Sequence, residues 1–456
     1  MTDFTSLRTA VTGAVLEPSD PGFADELSGF NLLFAHTPEA VVAATDATDI
    51  VEAVRFARNN HLAVRALATG HGSHAAITDG LVITTRRLAE VSVDADTRIA
   101  TVGAGAVWSA VVAAAADVNL APVTGSAASV GVVGYLLGGG LGPLARSHGF
   151  SSDYVRSFTV VTGEGEVVEA SSDDNADLYW ALRGGKGGLG IVIALQLELV
   201  SIPALYAGSI MFPTPSIEPA FRAWVDFTTT APADVTTSVA ILRFPPIEQI
   251  PAPLRGQTLL ALRFAYPGSA EEGERIIAPL RAAAPAMFDQ VGPLDPRDIA
   301  TIHNDPTEPG KSSGGGAMLA SVDQNLATTL LSIVGPDADV TVPIVAVELR
   351  HVGGATRTDV GLGSAVGGRG ADYTITVIGS LMQPGIEPAF EAALAAVASA
   401  VAPWLAPSTT INFTGLLREK EVFASSWAPA TYERLATVRA HYDPSGVFPY
   451  LPVTTH

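Results

Sequence analysis

Two glycine-dense stretches, "GSAASVGVVGYLLGGGLG" at 125–142 and "LRGGKGGLG" at 182–190, constrain this chain more than any other feature. Glycine loses more conformational freedom on folding than any other residue. Such density is retained where backbone must turn sharply or approach something flat or anionic. A long helix or an ordinary strand through either stretch is disfavoured, so both are expected to be loops with short elements between regular structure.

The regular structure around them alternates. From Ala40 to Val200 helical and strand patterns change over in short units: "ATDIVEAVRFARNN" has apolar residues at helical spacing with Thr48 expected as its N-cap, and "LAVRAL" follows as a buried strand. "VSVDADTRIATVGAG" reads as strand–turn–strand, "AVWSAVVAAAADVN" as a helix, "SFTVVTGEGEVVEA" as a hairpin turning at Gly163 and Gly165, and "GIVIALQLELV" as a strand. After Ser201, Pro-punctuated strands such as "SVAILRFPP", "TLLALRFAYPG", "VPIVAVELRHV" and "YTITVIGSL" alternate with Ala-rich helices, which predicts an antiparallel sheet backed by helices. The last amphipathic helix, "TYERLATVRAHYDPSGVF", has no core of its own and is expected to pack back on an earlier unit. At 456 residues two domains and a cleft between them are expected, in the α+β class.

Composition excludes several chemistries. The chain has no cysteine, so disulfides, zinc–thiolate sites, iron–sulfur clusters and thiol nucleophiles are absent. A formal net charge of -20 repels phosphate backbones and anionic lipid, and nucleic acid is not an expected partner. The acidic N-terminus lacks a basic region followed by an apolar one, and the Ala-rich apolar segments are interrupted before the roughly 20 residues of a membrane span. A soluble cytoplasmic protein without membrane attachment is expected.

"LATGHGSHAAITDG" at 67–80 sets His71 and His74 three apart in a glycine-rich loop directly after a strand. A metal pair, a catalytic base and a cofactor anchor are all compatible with that spacing, but a metal site would need a third ligand that sequence does not supply. The Rossmann fingerprint fails because no clear strand precedes "GVVGYLLGGGLG". The phosphate loop of nucleotide triphosphatases fails because Gly187 follows Lys186, and no G-x-S-x-G elbow exists. In "AVELRHVGGA" Glu348 and Arg350 share one face of a strand, where they either pair structurally or hold a substrate.

Taken in order, "AVRALATGHGS", "GSAASVGVVGYLLGGGLGPLARSHG", "DLYWALRGGKGGLGIV", "VELRHVGGA" and "YERLATVRAHYDPSGVF" resemble the berberine-bridge-enzyme-like branch of the vanillyl-alcohol-oxidase superfamily of flavoproteins, from Pro38 to Phe448. The resemblance implies a PCMH-type FAD-binding domain at 1–203, a substrate domain with an antiparallel sheet at 204–410, and a segment at 411–456 that returns to the FAD domain. It implies FAD bound covalently through His71, with His74 a bystander. Many relatives make a second link through a cysteine in a C-x-x-V-G motif; here Ala127 stands in that place, so a single link, as in hydroxynicotine-oxidase-like members, is expected.

The cofactor contacts so implied are Leu67, Ala68, Thr69, Gly70, His71, Gly72 and Ser73 in the first loop, then Gly125, Ser126, Val130, Gly131, Gly134, Tyr135, Gly138 and Gly139. Gly187, Gly190, Ile191 and Val192 would line the adenine or ribose end, and Tyr450 the flavin edge. Substrate contact or proton transfer falls to Glu348, Arg350, Tyr373 and Asn412. The family's Y-x-N element appears as "TIN" with Thr410 for tyrosine, and its H-R-x-x-x-Y element as "GRGADY", which keeps Arg369 and Tyr373 without the histidine. The implied activity is oxidation of a small or medium organic molecule by hydride transfer to the flavin, with O2 reoxidising it to give H2O2. An oxygenating or non-redox cyclising flavoenzyme is the alternative, and a non-catalytic protein of the same fold a lesser one; no metal is implied.

Overall fold

The computed structural model describes residues 2–248, 250–338, 342–415 and 426–450. Among the described residues three sheets carry the fold. The first, in the order β1-β2-β4-β3, comprises β1 (Ala14–Leu16), β2 (Ala40–Ala43), β3 (Val64–Leu67) and β4 (Leu81–Thr84). Its central pairs are parallel, with β1 antiparallel at one edge. Parallel pairing requires a crossover, supplied by the helix Ala47–Asn59, whose face of Ile50, Ala53, Val54 and Ala57 is buried on the sheet. That helix is capped by Asp46 rather than Thr48: Ala47 is already helical, and the Asp46 carboxylate accepts the Asp49 N–H at 2.9 Å.

The second sheet is antiparallel in the order β5-β6-β9-β7-β8, with β5 (Val91–Asp94), β6 (Ile99–Gly103), β7 (Val155–Val161), β8 (Val167–Ser171) and β9 (Ile191–Glu198). The helices Trp108–Ala116, Val132–Leu136 and Ala176–Leu182 close its core, together with Leu435, Val438 and Tyr442 from the helix Pro429–Tyr442. The last helix thus returns to the N-terminal part, while Val447 and Phe448 join the core of the first sheet. Of the expected C-terminal segment at 411–456, residues 416–425 and 451–456 lie outside the described residues.

The third sheet is antiparallel and contains β10 (Tyr206–Phe212), β11 (Thr236–Arg243), β12 (Thr258–Tyr266), the short β13 (Phe288–Asp289) and β14 (Gly292–Pro293), β15 (Ser312–Leu319), β16 (Ile344–His351) and β17 (Tyr373–Ser380). Its order is β13-β10-β12-β11-β16-β17-β15, with β14 on β10. Four helices, Ile217–Thr228, Ala270–Arg281, Gln324–Val334 and Glu387–Val401, cover one face, where Phe212, Phe221, Trp224, Phe264 and Phe390 are fully enclosed. Each such side chain contributes about 1.5–3 kcal/mol by leaving water. With helices on that face, the polar residues at alternate positions of β11, β12 and β16 lie on the other, which turns toward the N-terminal part.

Two buried arginines join the parts. Arg146, after the glycine stretch, reaches His351 Nε2 at 2.8 Å and the Pro232 carbonyl at 3.1 Å. Arg369, from the third-sheet side, pairs with Asp153 and stacks 4.7 Å from the Phe150 ring centroid. Such contacts fix the two faces against each other across the cleft.

Candidate active site

The loop leaving β3 is held from both sides. Phe30 N–H donates to the Thr69 carbonyl at 2.8 Å, and Gly70, at φ +71, lies so near Gly29 that a Cβ would meet its Cα at 2.7 Å. The His71 ring stacks on Phe30 with 3.7 Å between centroids and 16° between planes, and its Nε2 lies 3.2 Å from Ser129 Oγ. Burial pushes the imidazole down to about 4, so the ring is neutral near pH 7. His74, by contrast, is exposed and contacts the Gly72 carbonyl.

Ser129 belongs to the start of the first glycine stretch, and Gly131 packs against Thr69. Among the described residues no protein acceptor meets the N–H groups of Gly70, His71 and Gly72, or those of Gly125 through Ser129. Two adjacent loops therefore present a run of unpaired amide donors, an arrangement suited to anionic oxygen. Neither Gly72 nor Gly134 has any atom within 4 Å of where a Cβ would stand, so open space adjoins the loops. Leu67 is core and the Ala68 carbonyl is taken by Arg86, leaving the residues from Thr69 onward to face that space.

Beneath lies Tyr135, wedged against Gly125 and Gly140 and edge-on to Trp108 at 5.6 Å. Its hydroxyl is buried with no hydrogen-bond partner among the described residues, and burial pushes the phenol far above its ordinary range. Asn412 Nδ2 donates to the Tyr135 carbonyl at 2.8 Å, and its Oδ1 accepts from Lys186 Nζ at 2.9 Å. Lys186 also donates to the Gly134 carbonyl at 2.8 Å, while Thr410 Oγ1 donates to the Gly138 carbonyl at 3.1 Å. Gly138 is required here because a Cβ would stand 2.0 Å from Asn412 Oδ1.

The second glycine stretch is pinned by Arg439, which donates to the Gly185 carbonyl at 2.7 Å and the Gly187 carbonyl at 3.1 Å with its guanidinium over the Tyr450 ring. Tyr450 Oη is buried without a partner among the described residues, and burial pushes it up to about 12. Gly187 is exposed, whereas Ile191 and Val192 send their side chains into the cores of the first and second sheets.

Across the cleft Glu348 is 9% exposed and fully engaged. Its Oε1 accepts from Ser238 Oγ and Arg263 Nη1, each at 2.9 Å, and its Oε2 from Arg350 Nε at 2.8 Å. Burial alone would raise its pKa, but Arg350 and Arg263 outweigh it and hold the carboxyl well below the usual range. An ionised carboxylate with three donors is a poor proton acceptor, so its expected part in proton transfer gives way to holding two arginines. Arg350 also sits 5.4 Å from the Phe413 ring, on the Asn412 side of the cleft.

Tyr373 does not join them. It pairs with His351, stacks on it at 4.9 Å and donates to Thr228 Oγ1 at 3.0 Å, all on the helix-covered face. Strand alternation puts Thr374 and Thr376 on the cleft face instead, so Tyr373 is corrected from a cleft residue to a core one. Sequence reasoning missed Phe30, Lys186, Ser238, Arg263 and His303; the alternation of "TTSVAILR" and "TLLALRFAY" marks Ser238 and Arg263 as polar residues within strands, though not their neighbours.

Residues 38–171, which contain both amide-bearing loops, match the model of a family described as an FAD-binding domain. The chain thus contains an FAD-binding domain, and the curated relatives it resembles are named FAD-linked oxidoreductases and oxidases. It is 29% identical over 210 residues to (R)-6-hydroxynicotine oxidase of Paenarthrobacter nicotinovorans, covering 46% of each chain. It is 33% identical over 207 residues to an FAD-dependent monooxygenase of Fusarium proliferatum, covering 44% of this chain and 40% of the relative. The match spans about half the length of these curated relatives. The fold is that of 6-hydroxy-D-nicotine oxidase from Arthrobacter nicotinovorans, at 23% identity with a TM-score of 0.82 over 98% of both chains. It is likewise that of the carbohydrate oxidase from Microdochium nivale, at 20% identity and a TM-score of 0.83 over 99% and 98%. The residues present fit FAD: unpaired amides suit its pyrophosphate, and the buried orphan hydroxyls of Tyr135 and Tyr450 await polar partners.

Proposed function

We propose that the protein is an FAD-dependent oxidase of a small or medium organic molecule, with its flavin carried on His71 by a single covalent bond. The observation that carries this reading is the setting of His71: a neutral ring clamped by Phe30, with Nε2 turned to Ser129, inside a loop of unpaired amides. A neutral imidazole keeps the ring lone pair that a single covalent bond to the cofactor would need. Ala127 offers no second attachment.

When bound, FAD supplies the two-electron acceptor, so that a substrate XH2 and O2 become X and H2O2. The chain's own residues then bind and orient. Loops 69–72 and 125–129 hold the cofactor's anionic part, and Asn412, aligned by Lys186, presents its amide beside Tyr135. The arginines kept in place by Glu348 face the substrate. Orienting a substrate against the cofactor in this way is where a protein contributes most to such chemistry.

The test is a peroxide-coupled assay of the purified protein with a panel of alcohols, amines and hydroxy acids. The proposal expects H2O2 formed one-to-one with O2 consumed. The relatives named monooxygenases favour a second reading, oxygenation, for which O2 uptake without matching H2O2 is the signature.

A further inference from the structure

The register of the third sheet sets Arg263, Ser238, Arg350 and Thr374 side by side in one row on four strands, with Ala261, Ala240, Glu348 and Thr376 in the next. Directly paired residues project to the same face, so these eight form one patch. It contains two guanidiniums and one carboxylate. Both Glu348 oxygens are used, Arg350 spends only its Nε on them, and among the described residues its Nη1 and Nη2 have no hydrogen-bond partner.

More donors around the patch are idle. His303 has a 5% exposed side chain with Nε2 3.5 Å from Glu348 Oε1, and neither ring nitrogen has a hydrogen-bond partner among the described residues. The Thr374 and Thr376 hydroxyls are likewise buried and unpartnered. A gap lined by Gly142 and Pro143 on one side and by Ser238, Arg263, His303 and Arg350 on the other reaches the arginines and the histidine of the patch. The Phe413 ring supplies an apolar wall beside Arg350. Asp305, the further acid whose charge Arg350 feels, forms no ion pair with it.

A buried excess cation with idle donors is costly unless an anion meets it. The free edge of a guanidinium presents two parallel N–H bonds, which match the two oxygens of a carboxylate. Arg263 and Arg350 against Glu348 leave one positive charge that Asp305 offsets only without direct pairing, so a monoanion suits the patch, whereas a dianion would add repulsion from Asp305. We propose that Arg350 receives a carboxylate of the substrate, so that the molecule oxidised is a carboxylic acid. This rests on the oxidase reading for the word substrate, while the carboxylate site stands on the patch alone.

The test uses the purified holoenzyme with benzoate as probe, its ring suited to Phe413, and benzamide as the neutral match. Calorimetry reads binding and the flavin absorbance reads proximity. Benzoate is expected to bind saturably and at least tenfold more tightly than benzamide. Arg350→Met should weaken benzoate at least tenfold, and Asp305→Asn, which leaves the arginine cluster intact, should tighten it severalfold. Equal binding of benzamide, no benzoate binding, or unchanged affinity in a folded Arg350→Met variant overturns the site. Binding that depends on Arg350 but leaves the flavin spectrum unmoved upholds the site and counts against the oxidase reading.

Discussion

Replacing Glu348 with glutamine removes one charge and almost no volume, which isolates the electrostatic role of that side chain. The three charged side chains are only 9–14% exposed, so solvent screens them little. Removing one partner of a buried ion pair leaves an uncompensated charge at a cost of about 3–5 kcal/mol, and here two guanidiniums lose the same counter-ion. Glu348→Gln is therefore expected to lower the stability of the large-sheet unit by about 3–5 kcal/mol at pH 7. Urea unfolding followed by tryptophan fluorescence reads it, since Trp224 lies in that unit's core.

The pH dependence has a definite sign. The carboxyl is held below its ordinary value of 4.5 in the folded state, so its stabilisation is fully present above that value and is lost as pH falls toward the lowered folded value. The gap between wild type and variant should thus be constant above about pH 4.5 and shrink below it. A variant within about 1 kcal/mol of wild type at pH 7, the ceiling for solvent-exposed pairs, would refute the reasoning, as would a gap indifferent to acid.

Gly138→Ala would drive a Cβ into Asn412 Oδ1, so the purified variant should carry less flavin per chain by its visible absorbance, and full flavin content would speak against that contact. Tyr373→Phe should cost about 1 kcal/mol through the lost Thr228 bond and leave the rate of oxidation unchanged; a large fall in rate would return Tyr373 to the cleft. Arg146→Met removes the bonds to His351 and Pro232 that tie the two parts, and should separate a single thermal transition into two in scanning calorimetry. An unchanged single transition would show that those bonds do not couple the parts.

Much of this site was legible because its signals are local. Glycine density, the histidine after β3 and the short strand–helix units each follow from neighbours in the chain, and the loops at 67–73 and 125–139 lie where those signals put them. The cleft face was less so. Glu348 and Arg350 share a face by strand alternation alone, but whether Tyr373 or Thr374 joins them depends on the parity of pairing between β16 and β17, and a shift of one residue exchanges the faces. Arg263 and Ser238 come to Glu348 from 85 and 110 residues away, a proximity that no local pattern encodes. Lys186 was legible only as a failed phosphate loop, since its bond to Asn412 spans 226 residues. Thr48 lost the cap to Asp46 because helix ends shift by a residue or two with side-chain reach.

The central claim, an FAD held between two amide-bearing loops and fixed to the chain at His71, is tested most directly by intact mass under denaturing conditions. Wild-type protein should carry the added mass of one FAD, and His71→Ala none. An unmodified wild-type chain, or an adduct that persists in His71→Ala, would contradict it.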